Sequence, residues 1–336
     1  MSRGKNLRVG LIGLGMMGRH HARNLKALEG VDLVAVADPG GDPYGAAPEL
    51  DALADARALV AAGIDYAVVA VPTQFHRDVA LTFAEAGVHC MVEKPLAFDI
   101  DEAEEISRAF EHAGLVGAVG YVERYNPALQ EMRTRIAEGQ LGEIYQIATR
   151  RQGAFPDRIR DVGVVKDLAT HDLDLTAWVA QSEFASVAAA STRRSGRDDE
   201  DMVSVAGTLA DGTITSHLVN WLSPFKERVT VVTGEKGALI GDTINADLSY
   251  FTNGQHQTNV WESMASFRGV SEGDVIRYSL KRKEPLAAEH EAFRDAVRGD
   301  GANIVTMREG LHTVRAVEAV LESARQNLFI DLTDSR

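Results

Sequence analysis

The first 124 residues alternate short apolar runs with segments of helical periodicity. Mostly aliphatic runs lie at 7–12, 31–38, 65–71, 89–93 and 116–121, and between them apolar residues recur at helical spacing over 19–28, 53–62, 79–86 and 99–113. Unbroken apolar runs are typical of parallel strands that are buried on both faces. Their alternation with helices predicts an α/β fold with a doubly wound parallel sheet of the Rossmann type.

The pattern changes after residue 125. Helices are predicted over 127–138 and 167–180, and a strand over 144–151. Short strands separated by tight turns follow at 185–191, 202–209, 213–222, 227–234, 238–242 and 247–252, before helices at 287–298 and 306–327. Strands joined by such turns pair antiparallel. We therefore predict a Rossmann domain over 1–124 and an α+β domain over 125–336, with a large, mostly antiparallel sheet that is open on one face.

A glycine-rich turn follows the first predicted strand directly. Gly13, Gly15 and Gly18 have the spacing G-x-G-x-x-G between a strand and a helix. In dinucleotide-binding folds the first glycine permits the turn, the second lets the backbone approach a pyrophosphate, and the third lets helix and strand pack closely. We therefore predict a dinucleotide site formed by Gly13, Gly15, Met16, Met17 and Gly18.

Asp38 ends the second predicted strand, 20 positions after Gly18. A carboxylate at this place can accept hydrogen bonds from the adenosine ribose, and it would repel a 2′-phosphate. The next three residues, Pro39-Gly40-Gly41, include no arginine. NAD is therefore favoured over NADP, and a turn or helix cap is the alternative role of Asp38.

Two further loops follow predicted strands at their carboxyl ends, where an open parallel sheet binds its ligand. From the first loop, we predict cofactor contacts by Val71, Pro72, Thr73 and His76, although packing or capping is an equal alternative for His76. From the second loop, Glu93-Lys94-Pro95, we predict contacts by Glu93 and Lys94. A buried ammonium needs a ligand or partner, so we expect Lys94 where a cofactor-binding half meets a substrate-binding half. The alternative is a surface lysine.

The second half offers an acid–histidine pair on a predicted helix. Asp167 and His171 are four residues apart, so their side chains would share one helix face. The carboxylate could orient the imidazole, or both could reach one substrate hydroxyl, whereas the spacing alone also fits a solvated surface pair. Asp172 and Asp174 lie on other faces, and we interpret them as solvated or capping residues.

Two arginines, Arg158 and Arg160, lie in the predicted loop 153–165. Their guanidinium groups could bind a diphosphate or a carboxylate. Pairing with Asp157 and Asp161 in the same loop fits the sequence equally well.

Composition narrows the class of protein. The chain has 336 residues, a net charge of −14 and one cysteine, Cys90. The charge argues against nucleic acid as a partner, because phosphate binding needs a basic face. No apolar run approaches the ~20 residues that span a bilayer, the first residues lack a signal-peptide core, and no HExxH motif occurs. We therefore expect a cytoplasmic protein without a membrane partner or a metal site.

The turn 13–18, the loop 71–76 and the stretch Glu93-Lys94-Pro95-Leu96, in this order, resemble the Gfo/Idh/MocA oxidoreductase family. The resemblance covers nearly the whole chain. It implies a two-domain NAD(P)-dependent enzyme of sugars, sugar nucleotides or inositols, with Lys94 as the catalytic lysine and Asp167 and His171 as its catalytic partners. It also implies a homodimer or homotetramer formed through the open sheet face.

The chain departs from the family pattern in the short segment between Asp38 and Asp65 and in Lys166, directly before Asp167. Within the family, residues 121–127 and 158–172 resemble enzymes of nucleotide sugars such as UDP-N-acetylglucosamine 3-dehydrogenases. That resemblance implies oxidation of a sugar 3-hydroxyl, with substrate contacts by Arg124, Tyr125, Asn126, Arg158 and Arg160.

Oxidation of a hydroxyl needs a base for its proton, and histidine is suited to this near neutral pH. We expect His171 to be the base, Lys94 to stabilise the developing oxyanion, and Asp167 to set the imidazole tautomer or bind a neighbouring hydroxyl. The roles of Lys94 and His171 could be exchanged. The alternatives are an inositol or free-sugar dehydrogenase and, in another class, a sugar- or NAD-sensing protein without turnover.

Overall fold

The computed structural model describes residues 5–156, 162–254 and 272–333. The chain divides into two compact units, one formed by Met1–Val122 and Glu284–Glu318 and the other by Glu123–Lys283 and Ala319–Arg336. The first division lies close to the predicted boundary at residue 124. The segment 284–318, which the sequence assigned to the second domain, instead belongs to the first unit because Phe293 and Leu311 join that unit's hydrophobic cores.

A parallel sheet forms the centre of the first unit and confirms the predicted Rossmann fold. Its six strands within the described residues have the order β3-β2-β1-β4-β5-β6. The strands are β1 (Leu7–Ile12), β2 (Val31–Ala37), β3 (Ala52–Leu53), β4 (Tyr66–Val69), β5 (His89–Glu93) and β6 (Gly117–Gly120). Neighbouring residues face opposite sides: Leu11 packs in one core and Ile12 in the other, which explains the unbroken apolar runs.

Helices flank this sheet at the places that the periodicity predicted. They are α1 (Met16–Ala27), α2 (Ala56–Ala61), α3 (His76–Glu85), α4 (Ile100–Ala113) and, from the end of the chain, α7 (Pro285–Arg298) and α8 (Met307–Gln326). The Asp99 carboxylate accepts a hydrogen bond from the backbone N–H of Glu102, so Asp99 caps α4. The short strand β3 takes the place of the first predicted turn of α2.

The second unit is an α+β structure, as predicted. Its sheet has, within the described residues, the order β14-β13-β12-β11-β7-β10-β9-β8-β15. β7 and β10 pair parallel, and the other described neighbours pair antiparallel. The strands are β7 (Ile144–Ala154), β8 (Phe184–Thr192), β9 (Met202–Leu209), β10 (Ile214–Asn220), β11 (Leu222–Gly234), β12 (Gly237–Asp242), β13 (Asp247–Asn253), β14 (Glu272–Arg277) and β15 (Ile330–Asp331).

Two helices of the second unit, α5 (Pro127–Ala137) and α6 (Thr170–Ala180), pack against one face of this sheet through a core that includes Leu129, Trp178 and Val232. The strands alternate accordingly: Thr215 and His217 of β10 are buried, whereas Ile214 and Ser216 are exposed. The sheet therefore has the open face that the sequence predicted. In the described ranges, no helix combines the length and apolar character that crossing a membrane would need.

Candidate active site

The glycine turn between β1 and α1 has the geometry of a phosphate cradle. Gly13 has a φ of 91°, and a Cβ there would lie 2.5 Å from the carbonyl oxygen of Ala70. A Cβ on Gly18 would lie 2.0 Å from the carbonyl oxygen of Gly13. At Gly15, by contrast, no described atom lies within 4 Å of an added Cβ. This open space beside the amino end of α1 is where a pyrophosphate can approach backbone N–H groups.

The residues around the turn fit the predicted cofactor. Met16 and Met17, in the first turn of α1, are 41% and 38% exposed, so they border the cradle without filling it. The Asp38 carboxylate accepts hydrogen bonds from the backbone N–H groups of Leu14 at 2.8 Å and Gly40 at 2.7 Å. Asp38 therefore organises the turn, and the remaining lone pairs of its oxygens leave acceptors for a ribose. The ribose contact itself stays a prediction.

His76 has a structural position in the loop after β4. Its ring is buried, with Nδ1 2.9 Å from the carbonyl oxygen of Pro95 and Nε2 3.0 Å from that of Val71. Burial lowers the pKa of His76, so the neutral ring donates to one of the two carbonyls. His76 thus joins the loops after β4 and β5. Both ring nitrogens face backbone carbonyls, which favours the packing role over the predicted cofactor contact.

The other residues predicted from this loop lie at its surface. Val71 and Thr73 are half-buried and Pro72 is exposed, and Thr73 begins a 3₁₀ turn that leads into α3. Their cofactor contacts stay predictions.

Lys94 lies directly after β5, as the sequence predicted. It is half-buried, and the preceding Glu93 is buried at the end of the strand. The Glu93 carboxylate accepts a hydrogen bond from the backbone N–H of Lys94 at 3.2 Å and lies 2.8 Å from Nε2 of His21. Burial alone would raise the pKa of Glu93, but His21 and the charge of Lys94 lower it by a larger amount. The pKa of Glu93 is therefore below its usual value. Glu93 is therefore held as a carboxylate.

In the second unit, Asp167 lies in a π-helical turn, Val165–Ala169, that leads into α6. The sequence predicted an ordinary α-helix from residue 167, and this detail was wrong. The backbone N–H of Thr170 bonds to the carbonyl of Val165, five residues earlier, so the turn is wider than an α-helical one. The pair Asp167 and His171 therefore does not have regular i, i+4 geometry.

Glu200 holds the start of this turn. Its carboxylate accepts a hydrogen bond from the backbone N–H of Val165 at 3.0 Å, and its backbone carbonyl accepts one from Val164 at 2.9 Å. A Cβ on Gly163 would lie 2.0 Å from the carboxylate, so a larger residue there would displace the Glu200 side chain from this contact. Glu200 had no signal in the sequence, since it lies within a run of charged residues, Arg197-Asp198-Asp199-Glu200-Asp201.

His171 lies near the amino end of α6, a helix that is buried on nearly every side. Asp167 and His171 are only 5% and 9% exposed, which excludes a fully solvated surface pair. The interpretation of Asp172 and Asp174 as solvated acids was wrong, because they are 2% and 1% exposed. Arginines from other segments supply the opposite charges.

Arg151 of β7 is the centre of a buried ionic cluster. Its guanidinium donates to Asp172 at 2.7 Å and to Glu123 at 2.9 Å, and Arg228 of β11 donates to the same Glu123 oxygen at 3.0 Å. Burial raises the pKa of Asp172. Burial alone would also raise the pKa of Glu123, but Arg151 and Arg228 lower it by a larger amount. The pKa of Glu123 is therefore below its usual value.

Arg228 links this cluster to Asp167. Burial and the neighbouring Arg151 lower the pKa of Arg228, and Glu123, Asp172 and Asp167 oppose that shift. Its side chain is still 31% exposed, so a cation near Asp167 can meet a ligand. Sequence reasoning missed Glu123, Arg151 and Arg228. The available signal was Arg151 itself, a cation at the inward position of a strand where Ile147 and Thr149 are also inward.

The predicted substrate residues at 124–126 contact their own unit. Arg124 donates to both oxygens of Asp174, at 2.9 and 2.6 Å, and its guanidinium carbon lies 5.9 Å from the Trp178 ring centroid. Asn126 caps α5 by accepting from Ala128 and donates to the carbonyl of Thr243 at 3.0 Å. Their substrate contacts, and that of the half-buried Tyr125, stay predictions.

Two further predictions concern the loop arginines and the absence of a metal site. Arg158 and Arg160 lie outside the described residues. Among the residues that the structure does describe, no group of three or more His, Cys, Asp or Glu side chains is arranged to hold a metal ion.

Comparison with known proteins agrees with this geometry. A family model described as "Oxidoreductase family, NAD-binding Rossmann fold" matches residues 7–121, and one described as "Oxidoreductase family, C-terminal alpha/beta domain" matches residues 133–332. UDP-N-acetylglucosamine 3-dehydrogenase of Acidithiobacillus ferrooxidans is 29% identical over 303 residues, which cover 87% of this chain and 89% of that protein.

Two further similarities extend over almost the whole chain. The NAD(+)-dependent scyllo-inositol 2-dehydrogenase of Bacillus subtilis is 26% identical over 358 aligned positions, which cover 98% of this chain and 97% of that protein. A solved structure of the Acidithiobacillus ferrooxidans enzyme superimposes with a TM-score of 0.84 at 26% identity, covering 96% of this chain and 98% of that one.

Proposed function

This chain belongs to the Gfo/Idh/MocA oxidoreductase family, and on that premise we propose that it oxidises the 3-hydroxyl of a nucleotide-activated amino sugar such as UDP-N-acetylglucosamine. Its relatives are NAD-dependent dehydrogenases of sugars and polyols that act on CH–OH groups, and the chain is an oxidoreductase of this kind. The similarity to UDP-N-acetylglucosamine 3-dehydrogenase supports the substrate, and the inositol dehydrogenase similarity supports the second candidate, a polyol ring.

The observation that carries the proposal is the placement of Lys94 on the same edge of the sheet as the open cradle at Gly15. The cradle follows β1 and Lys94 follows β5, and only β4 lies between these strands. Adjacent strands are about 4.8 Å apart, so β1 and β5 are separated by roughly 10 Å. A dinucleotide held at the glycine turn can therefore extend along the strand ends to the lysine.

The chemistry divides between the bound cofactor and the side chains of this chain. NAD supplies the acceptor for the hydride. We assign His171 to take the hydroxyl proton, because an imidazole titrates near neutral pH. Lys94 stabilises the negative charge that develops on the oxygen. Asp167 orients the imidazole or binds a neighbouring hydroxyl.

A turnover assay tests this proposal. NADH formation is followed by absorbance with UDP-N-acetylglucosamine, other UDP-sugars, inositols and free sugars, each at the same concentration. We expect turnover with UDP-N-acetylglucosamine at least tenfold faster than with any inositol. Faster turnover of an inositol would move the assignment to the second candidate. Tight NAD binding without turnover of any of these compounds would contradict the dehydrogenase assignment and favour a sensing protein.

The open sheet face supports a proposed homodimer or homotetramer. The exposed or half-buried residues along it include the small or apolar Ala206, Ile214, Leu218 and Val231. Light scattering tests this: Leu218→Arg should give monomers, whereas Ile244→Arg, an exposed isoleucine in a turn, should leave the oligomer intact. A monomeric wild-type protein would contradict it.

A cytoplasmic location is likewise proposed, on the basis of the single cysteine.

A further inference from the structure

Three buried side chains form a hydrogen-bonded chain that includes Glu93, the residue before Lys94, and sequence reasoning did not predict this chain. Glu93 ends β5, His21 lies on α1 and His290 lies on α7. His21 Nε2 is 2.8 Å from the Glu93 carboxylate, and His21 Nδ1 is 3.0 Å from His290 Nε2. Both histidines are 0% exposed and Glu93 is 8% exposed. All three elements belong to the first unit.

The hydrogen atoms in this chain follow from its donors and acceptors. An ionised carboxylate only accepts, so Nε2 of His21 carries a proton and donates to Glu93. Burial and the neighbouring His21 lower the pKa of His290 well below its usual value, so His290 is neutral. When His21 is also neutral, its Nδ1 accepts from Nε2–H of His290. His290 thus selects the tautomer of His21 that donates to the carboxylate.

Other titratable groups also act on the members of this hydrogen-bonded chain. Lys94 and His76 interact electrostatically with Glu93, and His20 interacts with His21. Glu289, also buried, precedes His290 on α7. Nδ1 of His290 has no hydrogen-bond partner among the described residues, so in this part of the molecule the chain ends there.

We propose that His21 and His290 are positioning residues that keep Glu93 ionised and fixed as the counter-ion of Lys94. Without His290, only the Glu93 carboxylate favours the Nε2–H tautomer of His21, and the Nδ1–H tautomer, whose Nε2 lone pair faces the carboxylate, becomes more accessible. The pKa of Glu93 would therefore rise, and the negative charge opposite Lys94 would be lost at a higher pH than in the wild-type protein. The proposal rests on the proposed role of Lys94 in oxidation.

The direct test is titration of the Glu93 carboxyl by ¹³C NMR, with its resonance assigned through its loss in Glu93→Gln. We expect His290→Leu to raise the titration midpoint by about one pH unit or more, because a hydrogen bond to the charged form is lost. His290→Gln has an amide N–H in place of the ring N–H and should restore the wild-type midpoint. His20→Gln, adjacent on α1 but outside the chain, is the matched control. Equal midpoints in all these variants would overturn the proposal.

A second measurement uses the unmodified protein, so it does not depend on variants that fold. Histidine ¹⁵N shifts should show His21 and His290 as neutral Nε2–H tautomers. An Nδ1–H tautomer at His21 would overturn the proposal even if every variant unfolded.

Measurements of kcat and KM test whether this hydrogen-bonded chain contributes to catalysis. We expect Glu93→Gln and His290→Leu to lower kcat about tenfold with the sugar KM within about twofold, and His290→Gln to recover kcat. Equal kcat in His290→Leu and His290→Gln would mean that the chain is merely structural. If no sugar is turned over, the proposed function fails, whereas the two NMR measurements still decide whether the chain holds Glu93 ionised.

Discussion

The two units build their candidate sites by different means. In the first unit, backbone geometry shapes the site: Gly13 and Gly18 are glycine because a Cβ would collide with backbone oxygens, and Lys94 stands where a parallel strand ends. In the second unit, charged side chains from separate segments shape it, with Arg151 between Asp172 and Glu123. The first kind of site depends on residues close in sequence, whereas the second depends on the tertiary fold.

This difference has an energetic consequence. A buried ion pair is costly to break, because removing one partner leaves an uncompensated charge in a low dielectric. An open backbone cradle contributes little to stability, because nothing in the described protein fills it. Substitutions in the second unit's cluster should therefore destabilise the fold, and a substitution at Gly15, where an added methyl group meets open space, should affect mainly cofactor binding.

The largest expected effect is that of Arg151→Met. It leaves Asp172 and Glu123 without their shared cation, which should cost about 3–5 kcal/mol of unfolding free energy in urea titrations. Arg277→Met is the control, since Arg277 pairs with Asp247 at the surface with 67% of its side chain exposed, and it should cost about 1 kcal/mol or less. Equal costs for the two variants would contradict the distinction between buried and exposed pairs.

The pH dependence of stability should show a smaller effect in the second unit. His217 is buried in β10 with Nδ1 2.8 Å from Oγ1 of Thr149, and burial lowers its pKa to about 4. The folded protein keeps His217 neutral, whereas the unfolded chain takes up a proton as the pH falls below about 6.5. The stability that neutral His217 contributes is therefore fully present above pH 6.5 and is lost as the pH falls towards 4.

Between pH 7 and pH 5, His217 should account for a loss of about 2 kcal/mol. Urea titrations at both pH values should show that loss reduced by this amount in His217→Gln and unchanged in His112→Gln, which alters an exposed histidine of α4. If both variants keep the wild-type pH dependence, His217 does not titrate as proposed.

The smallest effect on folding, but a clear one on binding, is expected of Gly15→Ala. The added methyl group meets open space, so the melting temperature should change little, whereas the NAD dissociation constant should rise about tenfold, or ~1.4 kcal/mol. Gly153→Ala in β7 adds a methyl group whose nearest contacts are at 3.9 Å, and it should not alter NAD binding. Unchanged NAD affinity in Gly15→Ala would place the pyrophosphate elsewhere.

The same difference explains what the sequence could predict. The glycine spacing, the apolar runs and the position of Lys94 all follow from local rules of chain geometry, and the structure confirms the Rossmann sheet that they predicted. Asp172 and Asp174 were interpreted wrongly because their partners, Arg151 and Arg124, are 21 and 50 residues away. The π-helical turn at Asp167 depends on Glu200, again distant in the chain. Local patterns carry no information on such pairings.

The role proposed for Lys94 in the oxidation of a sugar hydroxyl can be measured in Lys94→Ala. The measurement is single-turnover NADH formation with saturating NAD and UDP-N-acetylglucosamine, beside NAD affinity by calorimetry, with Lys26→Ala as the control lysine of the same unit. We predict that Lys94→Ala slows NADH formation at least a thousandfold while NAD still binds, and that Lys26→Ala keeps the wild-type rate. A wild-type rate in Lys94→Ala would show that this lysine takes no part in the chemistry.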